Sequence, residues 1–354
     1  CSTKARNGVR FRVPSESSGS NAATTTAQPV SGVFSPLDQE LGLIAKERCS
    51  PRLARMMTWL GGKLPYAEAR EVLADVGGIH ISTSSVWRRM QVWGAQIATE
   101  LAAEQARQRA AARAWSTPGG RPVARGPMGV AIDGAMMHVR GEGWKEFKVA
   151  CVFDVELEER VDPGTGDRGQ YGHAIQSSYV VHLGGPEALG WQAWGEAQRR
   201  GWHAARDSIV IGDGARWIWN LRDEHFPASL TLVDWYHAVE HLGAAKLLLY
   251  PEAGAAASRW YNRNEQHLYE GQAKQVVHSL RTAAAHQGAD SPQAEALQKA
   301  AQYFANNQHR MAYHDLRDAG WPIGSGMVES GAKQFKARVT GPGMRWSRSG
   351  AEAI

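Results

Sequence analysis

The spacing of apolar residues changes once along the chain, near residue 126. Before this point, apolar residues recur at positions i, i+3, i+4 and i+7, which is typical of amphipathic helices. After it, short apolar runs that lead into an aspartate alternate with helical segments, which is typical of a sheet whose strands are joined by helices. The pattern predicts a helical N-terminal module followed by an α/β domain.

Three helices are predicted in the N-terminal module. The first begins at the N-cap Ser50 and is stopped by Gly61 and Gly62. The second starts at Pro65. The third starts near Ser82 or Thr83 and continues through the Ala- and Arg-rich run 101–115. Three helices with a glycine turn before the last one are typical of a helix-turn-helix. A small helical bundle without a ligand is the alternative.

In a helix-turn-helix, the last helix enters the major groove of DNA. Arg88 and Arg89 lie early in the third predicted helix, so they are predicted to contact bases or phosphates. If the module is only a bundle, these charges are solvated and have no partner.

Acidic residues follow three apolar runs of the α/β domain. The runs cover residues 128–132, 208–211 and 230–233, and the acids that follow them are Asp133, Asp213 and Asp234. The first run opens a predicted hairpin that turns at residues 141–143, with Asp133 at the end of its strand. Because sites in α/β sheets are built at strand ends, this edge of the sheet is the predicted site.

Two acids at strand ends and a third on a later helix can bind two divalent ions for phosphoryl transfer. Asp133 and Asp213 are the predicted strand acids, and Glu329, at the start of a predicted helix, is the third. Magnesium prefers oxygen ligands, which carboxylates supply. The predicted cofactor is a pair of Mg²⁺ or Mn²⁺ ions, although Asp before Gly is by itself also a common turn signal.

Basic residues follow Glu329. Lys333 and Lys336 lie at i+4 and i+7 from it, on one helical face, and residues 330–351 contain no acid. This asymmetry suits a phosphate backbone, so Lys333, Lys336 and Arg345 are predicted to contact DNA. The alternative is an exposed helix with an ordinary Glu–Lys pair.

Composition excludes some classes of protein but does not identify an activity. The chain has 354 residues and a net charge of +5, which permits nucleic-acid binding without requiring it. Three cysteines, at positions 1, 49 and 151, are too widely spaced for a disulfide framework or a thiolate zinc site. No apolar stretch is long enough to cross a bilayer. We expect a cytoplasmic protein with no membrane partner.

Five regions are predicted. Residues 1–35 form a flexible, basic, Ser/Thr-rich leader, and residues 36–116 the helical DNA-binding module. Residues 126–240 form the first part of the core. Residues 241–320 have helical spacing and no strand-like alternation, so they are predicted to form a helical insertion. Residues 321–354 contain the catalytic helix and its basic segment. Because the chain starts at Cys1 and ends inside a predicted helix, we expect it to be a fragment of a longer one.

The motifs carry a resemblance to a known family. AIDGAMMHVRGEGWKEFKVACVF, IVIGDGARWIWNL, TLVDWYHAVEHL, GSGMVES and GMRWSRSGAEA occur in this order, and SPRLARMMTWLGGKLPYAEAREVL precedes them. Together, over residues 38–354, they resemble DDE transposases of bacterial insertion sequences, in the ISKra group related to Mutator-like elements.

The resemblance implies an RNase H-like core with an all-helical insertion before the catalytic glutamate. By position, Asp133, Asp213 and Glu329 would be the three catalytic acids, and Asp234 and His237 would match an Asp-x-x-His element that supports the site. The implied reaction is cleavage at the element ends and joining of the 3′ hydroxyl to target DNA. The implied partners are terminal inverted repeats, target DNA and further copies of the chain in a nucleoid-associated complex.

Two other functions remain open. Residues His237, Glu240 and His241 also fit the H-x-x-E-H pattern of inverted zinc peptidases, which would leave Asp133 and Asp213 without a role. A DNA-binding regulator that uses only the N-terminal module is the other alternative.

Overall fold

The computed structural model describes residues 49–113, 125–161, 168–288, 291–341 and 344–354. These residues form twelve α-helices and one five-stranded mixed sheet, so the prediction of an α/β protein is confirmed at this level. The predicted leader and most of the predicted boundary at 116–126 lie outside the described residues. No helix in the described part of the chain is long and apolar enough to cross a membrane.

The sheet combines antiparallel and parallel strands. Its strands are β1 (Met128–Val139), β2 (Gly143–Val161), β3 (Arg168–Leu183), β4 (Ser208–Gly212) and β5 (Leu230–Val233). Their spatial order is β3-β2-β1-β4-β5. The first three are antiparallel neighbours, whereas β4 runs parallel to β1 and β5 runs parallel to β4. The central strands are buried on both faces, as their apolar runs predict.

The hairpin is confirmed, but the place of Asp133 in it is not. β1 continues through Asp133, which pairs with Val149 of β2, and the turn comes at Gly141 and Gly143, each with a φ of +77° that favours glycine. The prediction that Asp133 ends its strand was wrong, because the antiparallel pairing with β2 extends past it. Only the parallel pairing with β4 ends just before it, at Ile132.

β3 has no counterpart among the predicted strands. Its side chains are half-buried or exposed along its length, and its sequence, RGQYGHAIQSSYVVHL, shows an apolar run only at its end. Without a buried face of alternating apolar residues, the periodicity signal for a strand is weak. The strand forms because its backbone pairs with the long β2, and residues far apart in sequence supply that partner.

The N-terminal module contains α1 (Pro51–Lys63), α2 (Tyr66–Asp75) and α3 (Thr83–Arg113). As predicted, Ser50 caps α1, since its hydroxyl accepts a hydrogen bond from the Leu53 amide at 3.3 Å. The three helices share a core of their own, which contains Leu53, Met57, Leu60, Ala69, Leu73 and Val86.

The predicted end of α1 at Gly61 was wrong, because α1 continues to Lys63. A Cβ added at Gly61 would lie 2.9 Å from the Met90 side chain of α3. The glycine therefore permits close packing of two helices and does not end the first one.

The remaining helices surround the sheet. They are α4 (Pro186–Arg199), α5 (Arg216–His225), α6 (Trp235–Leu249), α7 (Ala255–Tyr269), α8 (Ala273–His286), α9 (Pro292–Asn307), α10 (Tyr313–Asp318), α11 (Gly326–Val339) and α12 (Arg348–Glu352). The described residues between 241 and 320 form helices and no strand, although α6 begins six residues before position 241. α11 then returns to the sheet and packs on β1 and β2.

A buried histidine makes the stability of the fold depend on pH. His225 is 7% exposed and stacks edge to face on Trp191, and this burial lowers its pKa below the ordinary value. The unfolded chain binds the proton more readily, so the stabilisation is complete above about pH 6.5 and is lost as pH falls toward the lowered pKa. We expect the free energy of unfolding to fall between pH 7 and pH 5.

The replacement His225→Gln removes this titration. Urea denaturation at both pH values should show a smaller loss of stability in the variant than in the unmodified chain. Other histidines with lowered pKa, such as His182 and His309, are unchanged in the variant. An equal loss in both proteins would mean that His225 contributes nothing to the pH dependence.

Candidate functional site

Three aspartates follow a single row of the sheet. Ile132 of β1 is the partner of Gly212 on β4, and Gly212 is in turn the partner of Val233 on β5. The next residue on each strand is acidic: Asp133, Asp213 and Asp234. Since neighbouring strands lie about 4.8 Å apart, the register brings the three acids to one edge of the sheet.

A tight turn sets the position of Asp213. Its Oδ1 accepts a hydrogen bond from the Ala215 amide at 2.7 Å, and Gly214 between them has a φ of +99°. The hydroxyl of Tyr303, on α9, donates to the Asp213 carbonyl at 2.9 Å. The helical segment after β5 is thereby attached to the strand end that carries the acid.

Asp133 lies in a half-buried environment with both signs of charge around it. Burial raises the pKa of its carboxyl group, and the negative Asp213 also raises it. The Gly134 amide, which donates to Oδ1 at 2.7 Å, and the charges of His237 and Lys336 act in the opposite direction. The net pKa shift is upward, which means that the surroundings disfavour the ionised carboxylate. A nearby cation would favour the ionised form and oppose this shift.

Asp234 is buried and connects two helices. Its Oδ1 caps α6 by accepting from the His237 amide at 2.9 Å, and its Oδ2 accepts from the Ser325 amide just before α11. The Trp235 amide also donates to the Ile323 carbonyl, at 3.0 Å. These bonds hold the start of α11, and hence Glu329 in its first turn, beside the start of α6.

A group suited to a metal ion results. Asp234, His237 and Glu329 each offer one ligand atom, and these three atoms lie within 4.8 Å of one another. Glu329 also lies 3.5 Å from Lys333, measured between Oε2 and Nζ. Two carboxylates and an imidazole at this spacing could close on a divalent cation with small side-chain rotations.

Asp234 and His237 link the predicted site. Asp234 follows the same row of the sheet as Asp133 and Asp213, and both residues belong to the group that contains Glu329. Sequence reasoning gave Asp234 and His237 a supporting role, whereas the structure places them directly among the candidate ligands. The signal was the Asp-x-x-His spacing, which puts an N-cap acid and an imidazole on the first turn of one helix.

The two histidines of the H-x-x-E-H pattern have different surroundings. His241 stacks on the Tyr303 ring, with 3.7 Å between ring centroids, and burial lowers its pKa. Glu240 lies 3.6 Å from Nδ1 of His237. Among the described residues, His237 belongs to a group of three candidate ligands that does not contain His241.

The predicted DNA-contacting residues differ in exposure. Lys333, Lys336 and Arg345 are exposed, as is Arg88 on α3. Arg89 is only 9% exposed, and its guanidinium lies over the Trp93 ring at 5.5 Å. Arg88 is thus accessible to a nucleic acid in this conformation and Arg89 is not, because the apolar packing side of α3 includes position 89.

Lys333 and Lys336 lie on the same helix as Glu329, and Lys333 pairs with it. Carboxylate-rich sites of this kind hold hard divalent cations, and adjacent lysines attract phosphate groups.

No protein-family model matches the chain, and no curated protein matches its sequence.

Proposed function

We propose that the chain is a DDE transposase that cleaves the DNA ends of a mobile element and joins them to target DNA. The observation that carries the proposal is the placement of the acids. Asp133, Asp213 and Asp234 follow one row on neighbouring strands, and the ligand atoms of Asp234 and Glu329 lie within 4.8 Å of each other. Residues almost two hundred positions apart in sequence would therefore act at one site.

The topology supports the same proposal. Three antiparallel strands followed by two parallel ones, in the order β3-β2-β1-β4-β5, is the arrangement expected of an RNase H-like core. Helices then separate β5 from the helix that carries Glu329, as expected for an insertion before the third acid. The N-terminal helices would act as the helix-turn-helix that recognises the inverted repeats.

Asp234, His237 and Glu329 offer ligand atoms for one magnesium or manganese ion, and Asp133 and Asp213 at the same edge would supply carboxylates for a second. Like charges on Asp133 and Asp213 raise the energy of the ionised pair, which a divalent cation would relieve. Asp133, Asp213 and Glu329 would hold the ions, with Asp234 and His237 as further ligands or supports. When bound, such ions stabilise the charge that develops on a phosphate during displacement.

The residues of the chain would orient the reactants. Glu329 accepts a hydrogen bond from the attacking water in the first step and from the 3′ hydroxyl in the second. In each step, the new oxygen–phosphorus bond forms as the bond to the leaving 3′ oxygen breaks. The nucleophile gives up its proton to solvent, and the leaving oxygen takes up a proton from solvent. Lys333, Lys336 and Arg345 hold the phosphate backbone, and two copies of the chain would hold the two ends of the element.

The test is cleavage and transfer of a labelled element end by the full chain with Mg²⁺ or Mn²⁺. We expect a nicked strand that ends in a 3′ hydroxyl and its covalent transfer to a target plasmid, and no product in EDTA. Binding of the ends without nicking under any metal condition would contradict the proposal. That result would favour a DNA-binding regulator, which the separate core of the N-terminal module also permits.

The zinc-peptidase alternative makes a separate prediction. We expect no stoichiometric zinc in the purified chain, because His241 stacks on Tyr303 and is not part of the group that contains His237. Elemental analysis of the unmodified chain and of His241→Gln measures this. One zinc per chain that disappears in the variant would favour the peptidase over the transposase.

A further inference from the structure

A cleft of about 760 Å³ opens beside Asp213. Its walls come from α5, from the end of α9 and from the short turn Gln308–Arg310 that follows α9. Gly214, the residue after Asp213, lies on its rim. Tyr303 lines the cleft as well, and its hydroxyl is bonded to the Asp213 carbonyl. The cleft therefore lies next to the strand end that carries Asp213.

The charged residues of this cleft are mainly basic. Arg216, Lys299 and Arg310 line it together with a single carboxylate, Asp223. Lys299 pairs with Glu295 at 2.6 Å, but no carboxylate of the described residues lies within ion-pair distance of Arg216 or Arg310. The guanidinium groups of Arg216 and Arg310 can therefore pair with an anionic ligand.

Arg310 and Trp219 add two unsatisfied donors. The guanidinium of Arg310 lies 4.5 Å above the Trp219 ring, and its Nε has no hydrogen-bond partner. Trp219 is 5% exposed, and its indole nitrogen also has none. A ligand in the cleft that carries acceptor oxygens would satisfy donors of this kind.

We propose that this cleft binds the sugar-phosphate backbone of the DNA strand next to the reacting phosphate. Arg216 and Arg310 would pair with successive phosphates, and the cleft would thereby guide the strand past Asp213. The inference rests on the proposed function, since it assumes that the acids act on DNA. It assigns the helices between β5 and α11 a role in binding the substrate, as well as in connecting the core.

The test compares charge removal in the cleft with charge removal elsewhere. The variants are Arg216→Gln and Arg310→Gln in the full chain, and the control is Arg206→Gln. Arg206 is exposed, pairs with Asp207 at 3.0 Å, and lies just before β4, at the opposite end of the strand from Asp213. The probe is a fluorescein-labelled DNA duplex in EDTA, so that no cleavage occurs, and anisotropy is recorded over a series of salt concentrations.

Each cleft variant should bind about tenfold more weakly and should lower the slope of log K against log salt by about 0.9, the loss of one phosphate contact. The control should change neither quantity, and Arg310→Lys should recover part of the affinity. Unchanged affinity and slope in both cleft variants would overturn the inference and leave the proposed function intact. Absence of DNA binding by the unmodified chain would instead overturn both.

Discussion

Asp213→Asn is expected to lower the rate of DNA strand cleavage by about three orders of magnitude. The amide retains an oxygen that can accept from the Ala215 amide, so the turn after β4 should survive. What is lost is the negative charge that, in the proposed function, would hold a cation near the reacting phosphate. Such stabilisation is worth several kcal/mol, and about 4 kcal/mol corresponds to about 10³ in rate.

The matched control lies at the opposite end of β4. Asp207→Asn replaces the acid just before β4, which is exposed and pairs only with Arg206 among the contacts described, so it should leave cleavage unchanged. Cleavage of a labelled element end under single-turnover conditions measures both variants, and anisotropy verifies that each still binds DNA. Asp133→Asn and Glu329→Gln should behave like Asp213→Asn. Near-normal cleavage by any of these three would remove that acid from the catalytic set.

Arg338→Met is expected to destabilise the fold by about 2 to 3 kcal/mol. Arg338 is 4% exposed and donates two hydrogen bonds, at 2.9 and 2.7 Å, to the Gly61 carbonyl in the last turn of α1. Its guanidinium also lies 4.8 Å from the Tyr66 ring and 4.9 Å from the Trp346 ring. This residue ties the N-terminal module to the helix that carries Glu329.

The balance of energies decides the direction of this effect. Burial opposes the cation and lowers the pKa of Arg338. Hydrogen bonds to a charged donor contribute about 1.5 to 3 kcal/mol to the free energy of unfolding. Each cation–π contact adds about 0.5 to 2 kcal/mol. The negative C-terminal end of the α1 dipole also favours a cation. We expect these gains to exceed the desolvation cost. Methionine fills a similar volume but leaves the carbonyl at the end of α1 without a partner.

Urea denaturation followed by tryptophan fluorescence measures the loss. The control is Arg345→Met, since Arg345 lies on the same C-terminal segment and is exposed. It should change stability by less than about 0.5 kcal/mol. Equal stability of Arg338→Met and the unmodified chain would show that the buried guanidinium contributes no net stabilisation to the contact between module and core.

Local pattern was sufficient for several elements. Ser50 and Pro51 mark the start of α1, and the apolar runs before Asp213 and Asp234 predict β4 and β5 almost to the residue. These elements depend on caps and on apolar runs, which are properties of neighbouring residues. For the same reason, Asp213 and Asp234 were recognisable as acids placed after strands.

Distant contacts decided the rest. β1 continues past Asp133 because β2 supplies the pairing. β3 forms because it pairs with β2, a partner that its own sequence does not indicate. α1 passes through Gly61, where the Met90 side chain packs closely. The grouping of Glu329 with Asp234 and His237 likewise depends on the Ser325 amide bonding to Asp234, ninety-one positions away. Sequence periodicity reports which side of an element is apolar, but register and packing partners are set by the free energy of the whole assembled chain.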